Sequence, residues 1–285
     1  MAPTARDETW SRLVDPHRRE LRRDGWTLSY IDLPGSGTPV VLVHGYADSS
    51  YSWHETAPAL SGAGHRLVLP DAPGLGRSGA PPRPYRYTIE SQAAEILALC
   101  DHLGIERFRL VGHSMGGGIL LHLCLEHPDR VERAVALAPA CRRPRRRMAL
   151  EYPGVSLLAT ALPPELIFAH GLRHVYHDPA LATETRIAEY ARPARLRRTY
   201  WHSLARITRE FFSPEIERMV ERYGELRPPL LILWGEHDTW LPEKLGRWLR
   251  PRAPHVGYEV IEGAGHNLQQ ERPTEVNREL IAFLS

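Results

Sequence analysis

The sequence predicts an α/β fold: a mostly parallel, doubly wound sheet interrupted late in the chain by a helical insertion. Three observations carry this. Short apolar runs at residues 40–43 and 230–234 have the composition of strands buried on both faces. Such runs alternate with stretches of helical periodicity, as in Ile89, Ala93, Ile96, Leu97 and Leu99. Gly112-His113-Ser114-Met115-Gly116 forms a Gly-x-Ser-x-Gly turn between a strand pattern and an apolar helix pattern.

Taken in order, residues 1–25 are polar and arginine-rich, with Pro3 and Pro16 breaking any helical run. They are expected to form a loosely packed arm. Residues 26–33 alternate as a strand, with Trp26, Leu28 and Tyr30 on one face. The phase slips at Ile31 and Leu33, which suggests a bulge. Residues 34–37 are a Pro/Gly turn, and 40–43 a buried strand ending at His44-Gly45-Tyr46.

Residues 52–60 are expected to hold the first core helix and 67–69 the next strand. The Gly/Pro-rich loop 71–78 follows, in which Asp71 can pair with Arg77 or cap loop amides. A helix is expected over 88–103, a strand over 107–111, and a helix from about Met115, whose apolar residues include Ile119, Leu120 and Leu123. Residues 131–137 form another strand.

From 139 to 227 no strong strand signal appears. Leu196, Tyr200, Leu204, Ile207 and Phe211 mark one helix face, and Ile216, Val220 and Tyr223 another. The alternation resumes with strands at 230–234 and 258–261 and helices at 242–249 and 276–284. The expected organisation is therefore an arm at 1–25, a core of 26–138 and 228–285, and a helical cap inserted at 139–227.

Hydrophobic residues make up 42% and charged residues 25% of the 285, the balance of a globular chain with a sizeable core. A net charge of +2 is too small to mark a nucleic-acid binder. The charged N-terminus lacks the apolar region of a secretory signal, and no run is long enough to span a membrane. Cys100, Cys124 and Cys141 have no ligand-like spacing. An odd number of thiols without a framework fits a reducing, cytoplasmic setting.

The chemistry lies in three loops, each following a predicted strand. A serine hydroxyl is a weak nucleophile and needs a base within hydrogen-bond reach, oriented in turn by a carboxylate. Ser114 sits on the sharp turn. The loop after 230–234 offers Glu236 and Asp238, and the loop after 258–261 offers His266. The order Ser, acid, His places all three at the carboxyl ends of strands, where open α/β sheets hold their ligands.

Together with His44-Gly45, the motifs Gly112-His113-Ser114-Met115-Gly116, Gly235-Glu236-His237-Asp238 and Gly265-His266 resemble the α/β-hydrolase fold superfamily, from about residue 26 to 285. The resemblance is to its serine-type, esterase- and lipase-like members with a helical cap. It implies Ser114 as nucleophile, His266 as general base and then acid, and Asp238, favoured over Glu236 by the family's loop pattern, as its orienter. It also implies an oxyanion hole made by the backbone N–H groups of Met115 and Tyr46.

Relatives that open epoxides or displace halide share the 71–78 loop pattern but carry Asp at the elbow. Serine here favours acyl transfer. The expected activity is hydrolysis of a small to medium carboxylic ester, a small-molecule substrate, with no cofactor and no stable membrane insertion. A C–C hydrolase or thioesterase would use the same triad, and a ligand-binding protein on the same fold is the non-enzymatic alternative.

Tyr46, Met115 and Trp240 are expected at the substrate pocket, with Tyr200, Trp201, Phe211 and Phe212 above it. His113 is expected to pack facing away from Ser114, and His44 to bond within its own loop. His170 and His174 have the i, i+4 spacing of ligands but lack a third partner, so no metal is expected. The five arginines of residues 142–147 form either a solvated linker or a basic patch that recruits an anion.

Overall fold

In the computed structural model, which describes residues 5–143, 149, 152, 154–212 and 214–285, eight strands form one sheet in the order β1-β2-β4-β3-β5-β6-β7-β8. α1 (Ala5–Val14) leads through a 3-10 turn into β1 (Arg18–Arg23). This corrects the expectation of a loose arm: Trp10 and Val14 are buried, and β1 pairs antiparallel along β2 (Trp26–Leu33). The strand was hidden because Leu21 is the one apolar residue in Arg-Arg-Glu-Leu-Arg-Arg, and its pairing uses the backbone alone.

β2 contains no bulge. It runs in unbroken register against β1 on one side and β4 (His65–Pro70) on the other. Leu28, Ser29, Tyr30 and Ile31 are all buried, so both faces of its middle are covered and a strict alternation is not required. β3 (Ser36–Val43) begins earlier than its apolar run. The single helix expected after it is divided: a 3-10 turn at Ser50–Trp53 precedes α2 (Ala57–Gly62). Pro58 is tolerated in the first turn of α2 but not inside a longer helix.

α3 (Ile89–His102) starts at Thr88, whose hydroxyl accepts the Ser91 N–H at 3.3 Å. β5 (Phe108–His113) then feeds α4 (Met115–Glu126), followed by β6 (Val131–Leu137). From β2 to β4 the pairing is antiparallel; β4, β3, β5, β6, β7 (Leu230–Gly235) and β8 (Gly257–Ile261) are all parallel. The chain leaves β3 outward to β4 and returns to β5 on the other side. The switch point therefore lies between the ends of β3 and β5, where His44-Gly45-Tyr46 and Ser114 emerge.

Between β6 and β7 come only helices and turns among the described residues: α5 (Val155–Ala159), α6 (Pro164–Val175), α7 (Glu184–Leu196), α8 (Tyr200–Phe211) and α9 (Pro214–Glu221). The face drawn from Leu196 to Phe211 is not one helix. α7 ends at Leu196, which is 71% exposed, and α8 starts at Tyr200. The break falls at Arg197, whose extended backbone lets its guanidinium donate to the carbonyls of Gly76 and Ser78, the former at 2.7 Å. This ties the insertion to the core loop 71–78.

α10 (Lys244–Leu249), α11 (Leu268–Glu271) and α12 (Pro273–Leu284) complete the fold. α3 packs beside α4 and α12 beside α2, covering a sheet whose central residues, such as Val41, Leu42, Leu110 and Val135, are fully buried. Cys100, Cys124 and Cys141 are buried free thiols. No helix among the described residues is long and apolar enough to cross a membrane.

Candidate active site

The turn from β5 into α4 is made by backbone contact. A Cβ on Gly116 would stand 2.1 Å from the carbonyl oxygen of Val43, so only glycine lets the helix rest on the end of β3. Ser114 takes φ 52 and ψ −112, strained for a residue with a side chain. It occupies the N-cap of α4, yet its hydroxyl caps nothing. That hydroxyl is directed to His266 instead, and the first amides of α4 keep their positive end open.

Ser114 Oγ lies 3.0 Å from His266 Nε2, and His266 Nδ1 lies 2.7 Å from Asp238 Oδ2. All three side chains are buried. Asp238 Oδ1 accepts the N–H groups of Trp240 at 2.9 Å and Leu241 at 2.8 Å. Both oxygens of the carboxylate are thus engaged, one by the loop and one by the imidazole, which sets its Nδ1–H tautomer and leaves Nε2 as an acceptor for the serine proton.

The rival acid Glu236 is elsewhere. Its Oε2 accepts the Gly263 N–H at 3.0 Å and lies 3.3 Å from His237 Nε2, with both side chains nearly half exposed. Trp240 contributes its amide to Asp238, but its indole is 47% exposed.

Gly45 approaches the nucleophile closely. A Cβ there would lie 3.3 Å from Ser114 Cβ and 2.9 Å from His113 Nδ1. Tyr46 is thereby brought to the elbow, and its hydroxyl shares a 2.6 Å hydrogen bond with Thr208 Oγ1 of α8. Met115 is buried at the first position of α4.

His44 does more than bond within its loop. Nδ1 lies 2.8 Å from the Gly45 carbonyl, and Nε2 accepts the Ala72 N–H at 2.9 Å, joining the loops after β3 and β4. Burial pushes its imidazole toward the neutral form, against the pull of Asp71. His113 packs beneath His266. Burial, with the adjacent His266 ring adding to it, holds its pKa well below the usual value. Asp71 caps amides rather than pairing with the Arg77 side chain, accepting Ser50 N–H at 2.6 Å and Arg77 N–H at 2.8 Å.

Sequence reasoning missed a buried polar network behind the site. Burial pushes the Asp48 carboxyl up to about 8, opposed by the Ser49 amide, which donates to its Oδ1 at 2.7 Å, and by the nearby Ser52 and Tyr190 hydroxyls. Tyr190 accepts in turn from Gln270 Nε2 at 2.7 Å, and Gln270 Oε1 accepts from the Tyr176 hydroxyl. The network joins the loop after β3, the helical insertion and the segment following His266. Gln270 lies four residues beyond His266, in a polar turn where nothing in the sequence sets it apart from Gln269 and Glu271.

Tyr200, Trp201 and Phe211 are buried, and Phe168 packs against both Tyr200 and Trp201. Phe212 is partly buried. The His170 and His174 rings lie 4.1 Å apart at an angle of 47°, but His174 Nδ1 engages the His170 carbonyl. No group of three ligand-type side chains among the described residues could hold a metal. Within the arginine run, Arg142 lies over the Trp248 ring, while residues 144–147 fall outside the described residues.

Comparison with known proteins agrees with this geometry. The profile of a family described as "alpha/beta hydrolase fold" matches residues 38–273. A Pseudomonas putida protein, the dihydrolipoyllysine-residue acetyltransferase component of an acetoin cleaving system, is 29% identical over 94% of this chain and 69% of its own length. A 2-hydroxy-6-oxononadienedioate/2-hydroxy-6-oxononatrienedioate hydrolase of Burkholderia vietnamiensis is 28% identical over 90% of each chain. Among solved structures, a mutant of the meta-cleavage product hydrolase CumD from Pseudomonas fluorescens superposes with a TM-score of 0.78 at 25% identity, over 93% of this chain and 97% of that one.

Proposed function

Since the chain belongs to the α/β-hydrolase fold family, we propose that it is a serine hydrolase cleaving a small to medium carboxylic ester through an acyl-serine. The single observation that carries this reading is the continuous relay from Ser114 Oγ through His266 to Asp238. Ser114 attacks the ester carbonyl as His266 Nε2 takes its proton. Asp238 holds the imidazolium that forms. The N–H groups of Met115 and Tyr46 stabilise the oxyanion.

Collapse of the tetrahedral intermediate breaks the C–O bond, and His266 returns its proton to the departing alcohol. Water, deprotonated by His266, then attacks the acyl-serine, releases the acid and restores Ser114. The inserted helices between β6 and β7 act as a cap over the strand ends, with Tyr46 and Met115 at the pocket floor. Tyr200 brings a buried hydroxyl with no partner among the described residues, available to a polar group of the substrate.

A second reading is favoured by two of the similar proteins. Their printed names describe hydrolysis of a 2-hydroxy-6-oxo dienedioate and of a meta-cleavage product, both C–C cleavages. The same triad would serve, with His266 protonating a carbon leaving group. Turnover of p-nitrophenyl esters and of a 2-hydroxy-6-oxo dienoate, by the wild type and Ser114→Ala, decides between them. Ester turnover lost in the variant supports the first reading, and dienoate turnover alone supports the second. Failure of a fluorophosphonate to label Ser114 overturns both.

A further inference from the structure

Away from the triad, α1, β1, the 71–78 loop and α7 enclose a crevice of about 270 Å³. Arg18, Arg77, Arg192 and Arg197 line it, with Trp10 and Tyr51 as aromatic wall. Neither Ser114 nor His266 borders it. Its two carboxylates, Asp71 and Glu189, offset only part of the charge of its four arginines. Asp71 is buried and already accepts two backbone N–H groups. Glu189 lies 3.5 Å from Arg192 in a pair whose side chains are 34% and 47% exposed, a weakly held contact.

Arg197 gives its donors to carbonyl oxygens rather than to a carboxylate, with Asp71 acting on its charge from a distance. Arg18 is paired with Asp15 at 3.0 Å. Arg77 has no ion pair or side-chain hydrogen bond among the described residues, and its guanidinium is always charged. Burial lowers its pKa, and the like charges of Arg18 and Arg192 lower it further. An arginine-rich chain tolerates exposed arginines singly. Here they converge on one concavity with an unpaired fork at its edge.

We propose that this crevice is a binding site for a small organic anion, its carboxylate or phosphate held by the Arg77 and Arg192 guanidinium groups and its flat apolar body set against Trp10 and Tyr51. Guanidinium groups bind such oxyanions through paired N–H donors. The volume lies just below the range of pockets for drug-sized ligands, so the occupant is about the size of a monocyclic acid. Its walls come from the core and from α7 of the insertion, so an occupant joins the two. The Arg197 tether to the 71–78 loop lies in the same wall. The anion is therefore placed to hold the insertion against the core.

The test is calorimetric titration of the wild type, Arg77→Ala and Arg192→Ala with benzoate, inorganic phosphate and benzyl alcohol. Benzoate is expected to bind more tightly than phosphate, and benzyl alcohol not measurably. Each substitution is expected to weaken benzoate at least tenfold while ester turnover without benzoate stays unchanged. Arg77→Gln, which keeps the aliphatic stem, should lose benzoate equally, separating loss of charge from loss of packing. Absence of benzoate binding to the wild type, or binding unaffected by both arginine substitutions, overturns the site. Phosphate binding as tightly as benzoate overturns the organic part of the assignment.

Discussion

His113 Nε2 lies 3.0 Å from the backbone carbonyl of His266, so the residue next to the nucleophile holds the loop that carries its base. Being neutral, His113 donates its Nε2–H, and its Nδ1 has no partner among the described residues. His113→Leu leaves that buried carbonyl unpaired, a cost of about 1–3 kcal/mol. If the loss falls on positioning His266, kcat drops roughly tenfold with KM little changed, since about 1.4 kcal/mol corresponds to tenfold in rate. Steady-state kinetics on a cleaved ester check this; an unchanged kcat would mean that the contact only packs.

Asp238→Asn should cost far more than Glu236→Gln. The amide can accept from the Trp240 and Leu241 N–H groups, but it no longer fixes the His266 tautomer. By analogy with the same change in a serine-protease triad, kcat falls by about 10⁴. Among the described residues Glu236 meets the Gly263 amide and His237 at the surface, so its variant should stay within about twofold of wild type. Parallel kcat measurements decide which carboxylate orients the base.

Asp48 makes stability depend on pH. Its folded pKa, about 8, lies above the ordinary carboxylate value of 3.8. Between those values the folded state binds the extra proton, so the contribution is complete below the ordinary value and is lost as pH rises through the folded one. The slope approaches ~1.4 kcal/mol per pH unit at most. Asp48→Asn should remove it. Denaturant midpoints at pH 5 and pH 8 should show the variant gaining on wild type at the higher pH. Parallel curves for the two proteins would count against a protonated Asp48.

Gly116→Ala forces a methyl to within 2.1 Å of the Val43 carbonyl oxygen, which belongs to a central strand and cannot yield. Overpacking of this kind costs about 1–3 kcal/mol or more. The variant should melt lower and lose kcat together, because the same displacement moves Ser114. Melting temperature and fluorophosphonate labelling rate report the two effects.

The strands most readily read in the sequence were those that the fold buries on both faces. Val131–Leu137 was placed to the residue, and its second half, Ala134 to Leu137, is a buried apolar run. The triad was legible because each member falls in the loop after a strand, although β8, ahead of His266, is exposed along most of its length. β1 was illegible because an edge strand held by backbone pairing needs no apolar pattern. The Asp48 network was illegible for another reason. Tyr190 and Gln270 lie more than 140 residues from Asp48 in the chain, and only the folded sheet brings them together.

Because β1 covers the outer edge of β2, residues 18–23 are a seal rather than an appendage. A protein beginning at Asp24 would present Trp26–Leu33, buried through its middle on both faces, as an open template for another chain. The arginines of β1 take over that outermost position with a row of like charges, which repels a second copy at the very edge where strands would otherwise add. Shortening the N-terminus therefore opens an edge prone to self-association, even though every residue of the triad remains in place.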